Sequence, residues 1–323
     1  MKGIQIIHIE NTKASFDFEL HRNITVVRGN SASGKSTLYN MVDDYSRRAE
    51  QSGIKISSTR PCHTILGLDW ESEIKQYQNS IIFFDEGAKY LSSKAFSRAI
   101  QQTDNYYVLF TRENLFELPY SINEIYEVAM VGRSRKKHCL KHVYELDQHY
   151  WLKNRFSRAD NKTIDILITE DSKSGYEFFR ACFDQSKINC ESAGSKTSIY
   201  EWLDKHVGEN IFVIADGAAF GPEIDGITKW QAEHPECSII CLSESFEWLL
   251  LKSGVIPNDS INEMLQHPED FIESKEFSSW ERFFTKYLED ISKGKPYEYT
   301  KKKINPYYTA KANSEKVLGL IAL

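Results

Sequence analysis

The hydrophobic pattern changes period several times along the first half of the chain. Residues 4–8 (IQIIH) and 14–20 (ASFDFEL) alternate apolar and polar positions, with Phe16, Phe18 and Leu20 on one face and the turn-like ENTK between the two segments. Alternation of period two predicts half-buried strands. ITVVR at 24–28 is apolar nearly throughout and predicts a strand buried on both faces, ending at Gly29. Leu38, Met41, Val42 and Tyr45 then recur at helical spacing. Further apolar runs, SIIFF at 80–84 and NYYVLFTR at 105–112, predict more buried strands, and 124–146 (EIYEVAMVGRSRKKHCLKHVYEL) reads as a closing β-hairpin.

The second half alternates more regularly. TIDILIT (163–169), KINCESA (187–193), NIFVIAD (210–216) and CSIICLS (237–243) predict strands. Between them SGYEFFRACF (174–183), TSIYEWLDKHV (197–207) and a stretch near 222–233 predict helices. Such alternation implies right-handed βαβ units and a parallel sheet. The expected organisation is an α/β domain over 1–150, a polar linker over 151–162, a second, Rossmann-like α/β domain over 163–255, and a helical extension with a tail over 256–323. In the extension, Trp280, Phe283, Phe284 and Leu288 share one helix face. PYEYTKKKINPYYTAK reads as a solvated tail, with tyrosines stacking on single-stranded bases as the alternative.

Composition narrows the classes. At 323 residues and 41% hydrophobic content the chain can bury two cores, and 40 basic against 46 acidic residues give a formal charge of −6. That balance argues against a surface that grips nucleic acid all over, while leaving local basic patches open. No apolar stretch approaches the ~18 residues of a membrane span. The opening MKGIQIIHIENTK lacks signal-peptide architecture. Six scattered cysteines, without C-x-x-C spacing, read as reduced thiols of a cytoplasmic protein.

Chemistry enters at the end of the buried strand. Gly29-Asn30-Ser31-Ala32-Ser33-Gly34-Lys35-Ser36-Thr37 follows a strand, opens a helix and matches the P-loop pattern in full. Glycines let successive N–H groups curl toward phosphate oxygens, and the helix N-terminus adds partial positive charge. Lys35 is expected to bridge the β- and γ-phosphates of ATP, and Ser36 to complete a Mg²⁺ shell. SIIFFDEG at 80–87 supplies the partner motif: Asp85 for Mg²⁺ and Glu86 for the attacking water. Thr111 and Arg112, closing the 105–112 strand, stand where a γ-phosphate sensor belongs; a polar strand end facing solvent is the alternative. Arg133, Arg135, Lys136, Lys137 and Lys141 crowd the hairpin tip, where a solvated tip is expected over a phosphate contact or an arginine finger.

Residues 1 to about 150 resemble the ABC-like branch of P-loop ATPases, with a catalytic glutamate beside the Walker B aspartate. No LSGGQ-like signature helix occurs, and the interval from Lys35 to Ser80 leaves no room for a long coiled-coil arm. The second half resembles the Toprim fold of topoisomerases, primases and the overcoming-lysogenisation-defect nucleases. ITEDSKSGYEFF is similar to the opening strand with its glutamate, ESAGSKTSIYEWL to the next strand-to-helix turn, and SESFEWLLLKSG to an acidic helix start. In IADGAAFG, Asp216 and Gly221 match the first and last positions of D-x-D-x-x-G, whereas Ala218 stands at the second aspartate. The resemblance implies a Mg²⁺ site at Glu170 and Asp216 with reduced or absent cleavage, since one carboxylate of a two-metal site is missing. Asp171, Glu223 and Glu247 are candidate substitutes.

Two functions follow as expectations. One is a Mg²⁺-dependent ATPase acting on or near nucleic acid in phage defence. The other is a nucleotide-gated binding or assembly module without nuclease activity. The resemblance also implies a homo-oligomer or a partner protein, and the lack of a long apolar stretch implies no membrane association. A small-molecule kinase is disfavoured by Asp85-Glu86 and by the lack of an arginine-rich lid.

Overall fold

The computed structural model describes residues 1–29, 34–65, 67, 69–132, 136–152, 164–184, 186, 188–234 and 238–323. The chain forms two compact units: Met1–Val143 with His267–Ser279, and Tyr144–Gln266 with Trp280–Leu323. Both are mixed α/β, one on a large, mostly parallel sheet and one on a smaller parallel sheet.

The first unit runs β1 (Gln5–Glu10), β2 (Ser15–Leu20), β3 (Ile24–Arg28), α1 (Lys35–Arg48), β4 (Lys55–Ser58), β5 (Cys62–Thr64), α2 (Trp70–Gln76), β6 (Ile81–Phe84), α3 (Lys94–Ile100), β7 (Tyr106–Phe110), β8 (Ile125–Met130) and β9 (Lys137–His142). Across the nine-stranded sheet the order is β4-β1-β2-β9-β8-β3-β7-β6-β5. Strands β8, β3, β7, β6 and β5 are mutually parallel, and β1 pairs antiparallel with β2 and β4. The apolar runs explain the centre: every residue of β3, β6 and β7 is buried, as in strands covered on both faces. The alternating β1 and β2 bury one face only.

Helix α1 starts at Gly34, whose φ of +100° and Val128 neighbour, 3.2 Å from where a Cβ would stand, leave room for glycine alone. Its apolar stripe, Leu38, Tyr39, Met41 and Val42, enters the core shared with Phe16, Phe83 and Phe110. Strands β4 and β5 and helices α2 and α3 escaped the sequence pattern. Each is three to seven residues long, too short to establish a period. The hairpin is present as β8 and β9, but Arg133 and Arg135 of its tip lie outside the described residues.

The second unit runs β10 (Ile166–Thr169), α4 (Ser174–Phe183), β11 (Asn189–Ser192), α5 (Ile199–Lys205), β12 (Ile211–Ile214), α6 (Ile224–Glu233), β13 (Ser238–Cys241), α7 (Phe246–Lys252) and α8 (Ser260–Gln266). After α9 (Pro268–Phe271), which belongs to the first unit, come α10 (Trp280–Ser292), α11 (Pro306–Thr309) and α12 (Lys311–Leu320). The sheet order β11-β10-β12-β13 is parallel throughout, in keeping with the βαβ alternation. Buried Phe283, Phe284 and Leu288 lie on the predicted face of α10, which packs on α7.

The C-terminal segment corrects the expectation of a solvated tail. Tyr297, Tyr299 and Tyr308 are buried, and the Tyr308 hydroxyl donates to the Tyr297 carbonyl at 2.6 Å. The side chains divide between two environments: the tyrosine rings enter the core while most lysine ammonium groups stay in water. Lys301 is the exception.

Candidate functional site

At the carboxyl ends of β3, β6 and β7 the first unit gathers most of the residues singled out for nucleotide chemistry. β3 lies between β7 and β8: among the parallel strands the chain passes from β3 to β5 on one side and from the neighbouring β7 to β8 on the other, so the order reverses at β3 and β7. A parallel sheet has its crevice at such a switch point. Gly29 has a φ of +131°. Asn30, Ser31, Ala32 and Ser33 lie outside the described residues. Ser36 and Thr37 are exposed in the first turn of α1, which contains no acidic residue and no side-chain cap.

Lys35 is buried, and its ammonium donates to the Gly29 carbonyl and stands 3.9 Å from Glu86 Oε2. Burial lowers its pKa, and the nearby Arg112 adds to this while Glu86 opposes it. Arg112 Nε reaches Glu86 Oε1 at 2.5 Å, so one carboxylate is shared between two cations. Thr111 caps its own turn: its hydroxyl accepts from the Glu113 N–H at 2.9 Å. Glu86, Thr111 and Arg112 line a cavity of about 430 Å³, and Asp85 lines one of about 460 Å³ together with Tyr39 and Tyr90. This donor set fits a magnesium nucleotide. A desolvated lysine, an uncapped helix start and two exposed oxygens, from Ser36 and Asp85, match a cation that binds few protein ligands and several phosphate oxygens.

In the second unit, Glu170 and Asp216 come together past the ends of β10 and β12, where the Asp216 N–H donates to Glu170 Oε2 at 2.9 Å. Asp216 Oδ1 in turn accepts from the Phe246 N–H at 3.2 Å. Burial pushes the Glu170 carboxyl up to about 7, with Glu281 adding to it against the Asp216 hydrogen bond. Asp216 is raised well above its ordinary value by burial and by Glu281 and Glu170. Gly217 lets the strand end pass the next one closely: a Cβ there would stand 2.6 Å from the Leu242 carbonyl oxygen. Ala218 is buried, so the position of the missing aspartate faces protein.

Three residues that sequence reasoning passed over complete this cluster. Lys301 Nζ lies 2.8 Å from Glu281 Oε1 and 3.2 Å from Glu247 Oε1. The Tyr299 hydroxyl donates to the same Glu247 oxygen at 2.6 Å and contacts Ser174 Oγ at 2.6 Å. Burial opposes the Lys301 charge, but Glu247, Asp216 and Glu281 outweigh it and raise its pKa. Of the candidate substitutes, Glu247 is fully buried within the cluster and Asp171 lies in its field. Glu223 is buried instead beside Tyr200, with Lys196 nearby. Among the described residues no set of three or more His, Cys, Asp or Glu side chains is arranged to hold a metal ion. With the Lys301 ammonium already seated on Glu247 and Glu281, the cluster around Glu170 and Asp216 as folded does not fit a divalent cation.

No family model and no curated protein matches the chain. Among the described residues no helix is long and apolar enough to cross a membrane.

Proposed function

We propose that this chain is a cytoplasmic, Mg²⁺-dependent ATPase of the ABC-like P-loop type, joined to a Toprim-like unit and acting on or near nucleic acid in phage defence. The observation that carries the ATPase reading is the meeting of Lys35, Glu86 and Arg112 at the carboxyl ends of three adjacent strands. In this reading Lys35 and the first-turn N–H groups of α1 bind the β- and γ-phosphates. Ser36 and Asp85 hold Mg²⁺, which when bound offsets phosphate charge. Glu86 orients the attacking water and takes its proton, and Arg112 holds the Glu86 carboxylate in place. The site is assigned to ATP by its motif; nucleic acid and defence rest on the Toprim-like resemblance.

Replacing Glu86 by Gln tests this. ATP turnover should fall about 10²–10⁴-fold while nucleotide binding persists. Unchanged turnover would remove Glu86 from the chemistry.

A second reading is a nucleotide-gated binding or assembly module, recruiting nucleic acid, another copy or a partner protein without cleavage. Lys301 within the acidic cluster and the buried Ala218 favour it. A Mg²⁺-dependent nuclease assay on plasmid, linear DNA and RNA, with wild type and Glu170→Ala, separates the two. Cleavage that the variant loses supports the first reading with a Toprim-like unit that cuts, and no cleavage on any substrate with ATP hydrolysis intact supports the module.

A further inference from the structure

Carboxylates at the ends of adjacent parallel strands ordinarily require a cation, and the second unit supplies one from its own chain. The charges of Glu281 and Asp171 act on Glu170, those of Glu281, Glu170 and Glu247 act on Asp216, Glu247 acts on Asp171, and Lys301 reaches into this cluster at Glu281 and Glu247. We propose that the Lys301 ammonium is the resident cation of this cluster, so that the second unit binds no divalent metal there until that charge is removed.

Lys301 is held in place by its backbone as well as by its charge. The Ser174 N–H donates to the Lys301 carbonyl at 3.3 Å, and the Ile304 N–H donates to Glu177 Oε2 at 2.7 Å. Two residues earlier, the Tyr299 N–H donates to Ser292 Oγ at 2.9 Å. These bonds flank the lysine on both sides and leave its side chain only 22% exposed.

Glu247 points to what would replace it. Its side chain is wholly buried, Oε1 is shared by Tyr299 and Lys301, and Oε2 has no hydrogen-bond partner. Without the ammonium, a buried carboxylate with a bare oxygen is left facing other acids. A hard divalent cation satisfies such oxygens directly. One ammonium offers three directed donors and a single charge, which suits its contacts with Glu281 and Glu247 Oε1 and leaves Glu247 Oε2 unanswered. The proposal rests on the packing of the second unit, and its failure would leave the ATPase reading untouched.

Mn²⁺ titration of the full chain without nucleotide, followed by the loss of free-ion electron paramagnetic resonance signal, tests it. Wild type and Glu170→Gln should give superimposable curves. Lys301→Met should gain one Mn²⁺ per chain, at least about tenfold tighter than any wild-type binding, and Lys301→Met/Glu170→Gln should lose it. Lys301→Arg, which keeps the charge, should behave as wild type. A wild-type Mn²⁺ site removed by Glu170→Gln would overturn the proposal, as would a folded Lys301→Met that gains none. If Lys301→Met does not fold, the comparison of wild type with Glu170→Gln decides alone: coincident curves uphold the proposal and divergent ones refute it.

Discussion

Tyr299→Phe isolates one hydrogen bond on which the buried Glu247 depends. The phenol is 1% exposed, and Phe keeps its ring against Tyr308, whose centroid lies 6.0 Å away. Removing the hydroxyl therefore costs little packing. It does remove the 2.6 Å donor to Glu247 Oε1, leaving that oxygen with Lys301 at 3.2 Å, and it takes a partner from the fully buried Ser174 hydroxyl. A hydrogen bond to a charged group contributes about 1.5–3 kcal/mol, and a deprived buried hydroxyl adds roughly 1 kcal/mol. The second unit should thus lose about 2–4 kcal/mol, or roughly 5–15 °C in Tm for a unit of this size. Urea and thermal melts followed by tryptophan fluorescence suit the measurement, since Trp151, Trp202, Trp230, Trp248 and Trp280 all belong to that unit. Tyr308→Phe is the comparator: it removes a neutral 2.6 Å bond to the Tyr297 carbonyl and should cost only about 0.5–1.5 kcal/mol. Equal losses in the two variants, or a Tyr299→Phe loss below about 0.5 kcal/mol, would refute the claim that a charged carboxylate leans on the phenol.

Arg112→Ala should lower ATP turnover about 10–100-fold with nucleotide binding largely kept, because Glu86 loses its 2.5 Å partner; single-turnover kinetics beside a binding titration would show whether it does. The pH dependence of the second unit follows from Glu170, whose folded value is raised to about 7 above the ordinary 4.5. A raised carboxyl binds its proton more tightly when folded, so its contribution is fully present below the unfolded value and is lost as pH rises through 7. Chemical melts from pH 4.5 to 8 should show this decline in wild type and a flatter profile in Glu170→Gln. Gly217→Ala places a Cβ 2.6 Å from the Leu242 carbonyl oxygen and should destabilise the second unit by more than about 2 kcal/mol, which the same melts would detect.

Periodicity alone was enough to locate the strands of both sheets that are long or wholly apolar. ITVVR, SIIFF and YYVLF are buried on both faces, and such runs have few places to go other than the middle of a parallel sheet. The glycine-rich turn between β3 and α1 was legible for a related reason: its residue types serve backbone conformation, as the positive φ of Gly29 and Gly34 shows. The pairing of Glu170 with Asp216 was also foreseeable, because both stand at carboxyl ends of strands in a βαβ series.

Packing decided the rest. Nothing local in KISS or CHT specifies a strand; β4 forms because β1 offers an open edge, on which Ile56 pairs with Ile9. The tail was misread for the same reason. Lysines and tyrosines in PYEYTKKK have no period, and their burial depends on a ring-sized space and a cluster of acids supplied by residues 20 to about 130 positions earlier. A charge-bearing sequence looks solvated until its partners are known, since a buried ammonium is stable only where carboxylates already surround it. Composition and period could show that the second unit has acids at its strand ends, but only the tertiary structure could bring Lys301 to them.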